Sequence, residues 1–271
     1  RTIGQPAYNE QARRGRDRRR SLMEWNEPLY LVGSGDKGRV GLLLCHGFTG
    51  SPRSMHEWAL RSADAGHTVA VPLLTGHGRT PEALETAQWT DWVADVEEAY
   101  AWLQERVDAV FVSGLSMGGT LALRLAAHHP EIAGVVTVNA AIRHPQELLM
   151  RALGRIGFPR WTKAVGNDTK LAGVDEGAYD RIPIRAARQF AHVMAAVRRD
   201  LGLVRCPALV FSSVVDHVMP PSNQRTIYDS VASKTKALVK LEDSHHVATM
   251  DNDKELVFAK TLEFIAAHGG R

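Results

Sequence analysis

Short apolar runs with little polar alternation recur along the chain: Val40–Cys45, Thr68–Leu74, Ala109–Ser113, Ile132–Val138, Ala208–Ser212 and Ala237–Leu241. Runs of this length and character fit strands covered on both faces of a sheet. Between them the apolar positions change to helical spacing. Ser54–Ala65 carries Met55, Trp58, Ala59 and Ser62 on one side, and Thr90–Arg106 carries Trp92, Val96, Tyr100 and Leu103, with Thr90 or Asp91 as its cap. Gly118–His129 and Lys254–His268 complete the pattern. Strands alternating with helices predict an α/β fold with a mostly parallel, doubly wound sheet.

The alternation stops between about residues 141 and 205. No strand pattern appears there. The segment holds Leu148, Leu149, Leu153, Ile156, Phe158 and Trp161, then a helical stretch over Ala186–Arg199. An insertion of helices between two core strands predicts a helical cap over the carboxyl edge of the sheet, where open α/β sheets bind ligands.

The length of 271 residues suits one α/β domain, and no apolar run approaches the roughly 18 residues of a membrane span. The net charge is only +3, and much of the basic excess lies in Arg13-Arg14-Gly15-Arg16-Asp17-Arg18-Arg19-Arg20. We read residues 1–26 as a basic, solvated N-terminal extension and 27–271 as one α/β domain that contains the insertion at about 141–205. The basic run allows transient contact with an anionic membrane surface, and no nucleic-acid partner is expected. No apolar segment of a secretory signal follows it, and Cys45 and Cys206 lie in strand-like runs as reduced buried thiols, so the expected compartment is the cytoplasm.

The chemistry begins at Ala109-Val110-Phe111-Val112-Ser113-Gly114-Leu115-Ser116-Met117-Gly118-Gly119, a strand entering Gly-x-Ser-x-Gly with a helix behind it. This is a nucleophile elbow, a strained turn that lifts Ser116 above the sheet edge and needs small residues at 114 and 118. A serine hydroxyl needs a base, and in this arrangement the order is Ser, then an acid, then His. Asp216 is the only carboxylate between Leu201 and Asp229 and directly follows the Ala208–Ser212 strand region. Its role would be to fix the imidazole tautomer. The base is one of two neighbours, His245 or His246, between the last strand and the last helix. Acyl transfer also needs donors for a developing oxyanion. The backbone N–H of Met117 supplies one and that of Phe48, in His46-Gly47-Phe48-Thr49-Gly50, the other. We read His46 and the Gly76-His77-Gly78 loop as structural. No metal spacing, phosphate loop or dinucleotide fingerprint is visible, and no cofactor is expected.

With these residues in place the chain resembles the bacterial monoacylglycerol lipases, within the small carboxylesterases of the α/β-hydrolase fold. The matching stretches are His46–Pro52, Gly76–Gly78, Asp91–Val93, Gly114–Thr120, Asp216–Pro221 and Ser244–Thr249. The resemblance implies Ser116, Asp216 and His246 as triad, so it selects His246 over His245, and Phe48 and Met117 as oxyanion donors. It implies a helical cap over an acyl tunnel, with an acidic cap residue reading the glycerol hydroxyls. Alignment on Tyr179–Pro183 puts that residue at Glu176, with Asp175 the neighbour one step away. The cap between His144 and Lys170 departs from the pattern. The expected activity is serine ester hydrolysis of a small lipid ester, releasing fatty acid and glycerol from monoacylglycerols through an acyl-enzyme. The alternatives are a general short- or medium-chain carboxylesterase or thioesterase, a C–C hydrolase or perhydrolase, and a non-enzymatic ligand-binding hydrolase fold.

Overall fold

The computed structural model describes residues 25–269; the Arg13–Arg20 run lies outside them. One seven-stranded sheet organises the chain, in the order β1-β3-β2-β4-β5-β8-β9. Its strands are β1 (Leu29–Leu31), β2 (Val40–Cys45), β3 (Thr68–Val71), β4 (Ala109–Leu115), β5 (Gly134–Val138), β8 (Ala208–Ser213) and β9 (Lys236–Leu241). Every pairing is parallel except β1 with β3. The third run stops at Val71 rather than Leu74, because Pro72 has no N–H to give the ladder.

Helices cover both faces. They are α1 (His56–Asp64), α2 (Pro81–Thr86), α3 (Trp89–Gln104), α4 (Met117–His128), α5 (Glu147–Ile156), α6 (Ile184–Asp200), α7 (Ser222–Ser230) and α8 (Lys254–His268). Two apolar layers result. One packs Trp92, Tyr100, Leu121 and Phe190 on one face, and the other packs Trp58, Phe111, Phe211 and Phe258 on the opposite face. The first predicted helix is split, a 3-10 turn over Pro52–Met55 preceding α1. Helix α3 begins one residue early. Its cap is a reciprocal box in which the Gln88 amide donates to Asp91 at 2.8 Å, not Thr90 or Asp91 as N-cap.

Between β5 and β8 the chain builds α5, a short antiparallel ribbon of β6 (Trp161–Lys163) and β7 (Arg181–Pro183), and α6. The expectation that no strand lies in this segment is therefore corrected. The ribbon pairs only three residues and is held laterally, with the Arg160 and Arg181 guanidinium groups 4.8 and 4.5 Å from the Trp161 ring. Helices α5 and α6 approach closely at Gly154, where a Cβ would stand 2.4 Å from that of Arg188. Arg198 anchors the root of the segment, donating to the Ile142 carbonyl and, at 3.0 and 3.1 Å, to both Glu147 oxygens.

Strands β2 and β4 are adjacent, with Cys45 opposite Gly114, yet the chain leaves β2 toward β3 on its other side. The strand order reverses at this point, so the loops after β2 and β4 diverge and leave a crevice at the carboxyl edge.

Candidate active site

Ser116 sits between β4 and α4 with φ 53° and ψ −118°, a conformation that non-glycine residues seldom adopt. The glycines around it show why the turn can close. A Cβ on Gly118 would lie 1.9 Å from the Cys45 carbonyl oxygen, and one on Gly114 would lie 2.2 Å from the Gly118 carbonyl carbon. Thr120 secures the helix behind, donating its hydroxyl to the Ala141 carbonyl at 2.5 Å.

The loop after β2 passes directly alongside. A Cβ on Gly47 would stand 3.5 Å from that of Ser116. Thr49 takes φ 67° and Gly50 donates to the Gly47 carbonyl at 3.2 Å, so Phe48 is carried in a tight turn. Met117 is the first residue of α4, and the leading N–H groups of a helix have no partner inside it. The His46 ring is used up by this loop: Nδ1 donates to the Gly47 carbonyl at 2.9 Å and Nε2 accepts from the Leu74 amide at 3.2 Å. Burial pushes its pKa down to about 4, which keeps it a neutral, structural imidazole.

Of the two neighbouring histidines, His246 meets the predicted acid. Its Nδ1 is 2.8 Å from Asp216 Oδ2, and both side chains are buried. The other Asp216 oxygen accepts from the amides of Val218 at 2.9 Å and Met219 at 2.7 Å. This leaves Nδ1–H as the donor to Asp216 and Nε2 as the acceptor. Burial works against the charged form of His246, but Asp216, through charge and hydrogen bond, and then Glu176 outweigh it and raise its pKa. His245 turns elsewhere, its Nδ1 3.6 Å from Asp168.

Three residues that the sequence pattern did not single out hold this corner. Asn139, at the carboxyl end of β5 with φ 46°, donates to the His246 carbonyl and to Ser213 Oγ at 2.8 Å and accepts from the Ser213 amide at 2.8 Å. Asp168 accepts from the amides of His217 at 3.1 Å and His246 at 3.2 Å. Asp251, fully buried, accepts from the amides of Lys170, Leu171 and His245 at 2.7–2.9 Å. The insertion is thus stitched to the loop that carries His246.

Ser116, His246, Phe48 and Glu176 line a single cavity of about 110 Å³, together with Met150, Val165, Ile182, Phe190 and Met219. The walls are mostly apolar, as acyl-binding sites need. Glu176 is buried, whereas Asp175 points outward, 3.6 Å from Arg53. Burial pushes the Glu176 pKa up to about 7, against the pull of His246. Tyr179 ties this part of the insertion to the rim, its amide donating to Thr49 and its hydroxyl to the Gly76 carbonyl at 2.9 Å. The two cysteines are unpaired; Cys45 is buried and Cys206 only half-buried, and burial pushes both thiols up to about 12.

Residues 37–253 match the model of the family described as serine aminopeptidase, S33. The chain belongs to this family. Within it, the chain is 45% identical over 244 residues to a thermostable monoacylglycerol lipase from Bacillus sp. strain H-257, covering 90% of this chain and 96% of that one. It is 28% identical to a carboxylesterase of Bacillus subtilis, over 84% of this chain and 93% of that one. Among solved structures, a metagenome-derived lipolytic enzyme aligns at 44% identity with a TM-score of 0.85, covering 90% of this chain and 98% of the other. A Paleococcus ferrophilus monoacylglycerol lipase shares the fold at 18% identity, with a TM-score of 0.75 over 89% of this chain and 98% of the other. The chain is an α/β hydrolase and an enzyme of the serine-hydrolase class. No helix among the described residues is long and apolar enough to cross a membrane.

Proposed function

We propose that this enzyme hydrolyses monoacylglycerols to fatty acid and glycerol through an acyl-enzyme on Ser116. The observation that carries the reading is the elbow serine sharing one apolar cavity with a histidine whose far nitrogen is 2.8 Å from a buried aspartate. His246 Nε2 takes the Ser116 proton as Oγ attacks the ester carbonyl, and Asp216 stabilises the imidazolium that forms. The oxyanion is received by the N–H groups of Phe48 and Met117. His246 then protonates the leaving glycerol oxygen, and water repeats the sequence on the acyl-enzyme. The segment 141–205 serves as the cap of an acyl tunnel. The unpaired state of both cysteines supports a cytoplasmic setting.

Glu176 reads the glycerol. Its buried carboxyl lines the cavity beside His246, and an apolar pocket with one placed acceptor rewards hydroxyl groups that it would otherwise ignore. The 45% identical monoacylglycerol lipase supports this substrate class.

The test is a kinetic panel of monoacylglycerols, diacylglycerols, p-nitrophenyl esters and aminoacyl p-nitroanilides. Monoacylglycerols are expected to give the highest kcat/KM. Faster turnover of the anilides would instead favour the peptidase chemistry named in the family description. Glu176→Leu is expected to lower monoacylglycerol turnover about tenfold or more while sparing a p-nitrophenyl ester, since a hydrogen bond to a charged group contributes about 1.5–3 kcal/mol. Equal losses on both substrates would assign Glu176 to cap support.

A further inference from the structure

Beside the catalytic corner, but not in the cavity, Asp168, His217 and His245 form a second cluster. One ligand atom from each lies within 4.8 Å of the other two. The residues come from three separate loops: the insertion, the turn after β8 and the turn after β9. The hydrolytic mechanism uses none of them.

The geometry points to a binding site for a borderline divalent transition ion, Zn²⁺ being the representative, held by Asp168 Oδ1 and the Nδ1 atoms of His217 and His245. Two imidazoles and one carboxylate form a donor set that such ions accept, with a fourth position left for water. Mg²⁺ and Ca²⁺ prefer all-oxygen shells and are disfavoured here. In a tetrahedral site with bonds of about 2.0–2.1 Å, neighbouring ligand atoms stand about 3.3 Å apart. His245 Nδ1 already lies 3.6 Å from Asp168 Oδ1. His217 Nδ1 lies at 2.8 Å and must withdraw by about half an ångström, which its 57% exposed side chain is free to do. The two rings stand nearly perpendicular, 87° between planes with centroids 4.7 Å apart, so neither blocks the other's nitrogen.

The carboxylate is aimed in advance. Its second oxygen, Oδ2, accepts from the backbone amides of His217 and His246, which fixes the orientation of Oδ1 as outer hydrogen bonds do for metal ligands. His217 is 57% exposed, so solvent reaches the site and can supply the fourth ligand. An ion here would clamp the insertion to the two loops that carry Asp216 and His246. Its effect is therefore on the folded state, in addition to any effect on turnover.

The experiment titrates ZnCl₂ into metal-stripped full-length protein free of any histidine tag, by calorimetry, with thermal unfolding in parallel. One ion per chain and a rise in Tm are expected, and MgCl₂ should produce neither. His217→Gln and His245→Ala should each weaken binding by about 100-fold or more, at least what the loss of an outer partner costs a metal site, and should abolish the Tm rise. Circular dichroism of the metal-free variants confirms that they fold, and the exposed His217 gives the substitution least exposed to that objection. Absence of Zn²⁺ binding would overturn the proposal. So would binding of unchanged affinity in both variants, or an equal Tm rise with MgCl₂.

Discussion

Around Ser116 the chain has almost no room: added methyl groups at Gly118 or Gly114 would stand 1.9 and 2.2 Å from backbone atoms. Across the same cavity, α5 turns Leu148 and Ile156 outward, 81% and 72% exposed, and Phe158 beyond it is 74% exposed. The first region is held by backbone sterics and by hydrogen bonds to buried groups, each of which fixes a position within a few tenths of an ångström. The second is held at its root, by Arg198 and by the meeting of Gly154 with Arg188, while its outer face stays largely exposed among the described residues. Reacting atoms need the first kind of support, because a small misplacement costs rate steeply. A face turned away from the cavity does not. Substitutions that add atoms at the elbow glycines should therefore act on chemistry and stability, and substitutions on the outer face of the insertion on neither.

The largest effect expected from this contrast is on turnover. Ser116→Ala should lower kcat by about 10⁴-fold or more while Tm stays within a few degrees, since triad members act as a unit. A variant retaining a tenth of the activity would separate the elbow from the chemistry.

Asn139→Ala should come next. It removes the donors to the His246 carbonyl and Ser213 Oγ and strands the buried Ser213 amide, so a loss of about 3 kcal/mol in denaturant unfolding is expected, with a fall in kcat. Unchanged stability would mean that water replaces the amide.

Glu176→Gln tests the cavity side of the comparison through pH. The folded-state pKa of Glu176, about 7, is above its ordinary 4.5, so the folded chain holds this proton more tightly than the unfolded chain. Its ionisation therefore removes stability as pH rises from about 4.5 through 7, and a glutamine escapes that loss. Unfolding at pH 5 and pH 8 should show the variant gaining about 2 kcal/mol relative to wild type between the two. A gap that does not change with pH would place the carboxyl in water. The smallest effect belongs to the outer face, where Leu148→Ser should change stability by no more than about 0.5 kcal/mol.

The same contrast explains what could be read from the residues in order. The elbow was legible because glycine spacing, a strand before and a helix after are all local, and Asp216 stood out because no other carboxylate competes between Leu201 and Asp229. The choice between His245 and His246 was not legible locally. It depends on which ring meets Asp216, thirty residues away. Strands β1, β6 and β7 were missed because three residues are too few to show alternation, and α7 because its nine residues bury Ile227 as their only aliphatic side chain. Asn139, Asp168 and Asp251 left no pattern, since each serves backbone groups of a loop distant in sequence. Only the positive φ of Asn139, after a strand, has a sequence correlate, the tolerance of Asn for left-handed backbone.

The central claim is that Ser116 is an activated nucleophile, driven by His246 and Asp216. Intact-protein mass spectrometry after exposure to a fluorophosphonate probe tests it most directly. The account predicts one adduct per chain, mapped to the peptide that contains Ser116, absent in Ser116→Ala and slowed by orders of magnitude in His246→Ala. An adduct on another residue, or labelling of His246→Ala at the wild-type rate, would contradict it.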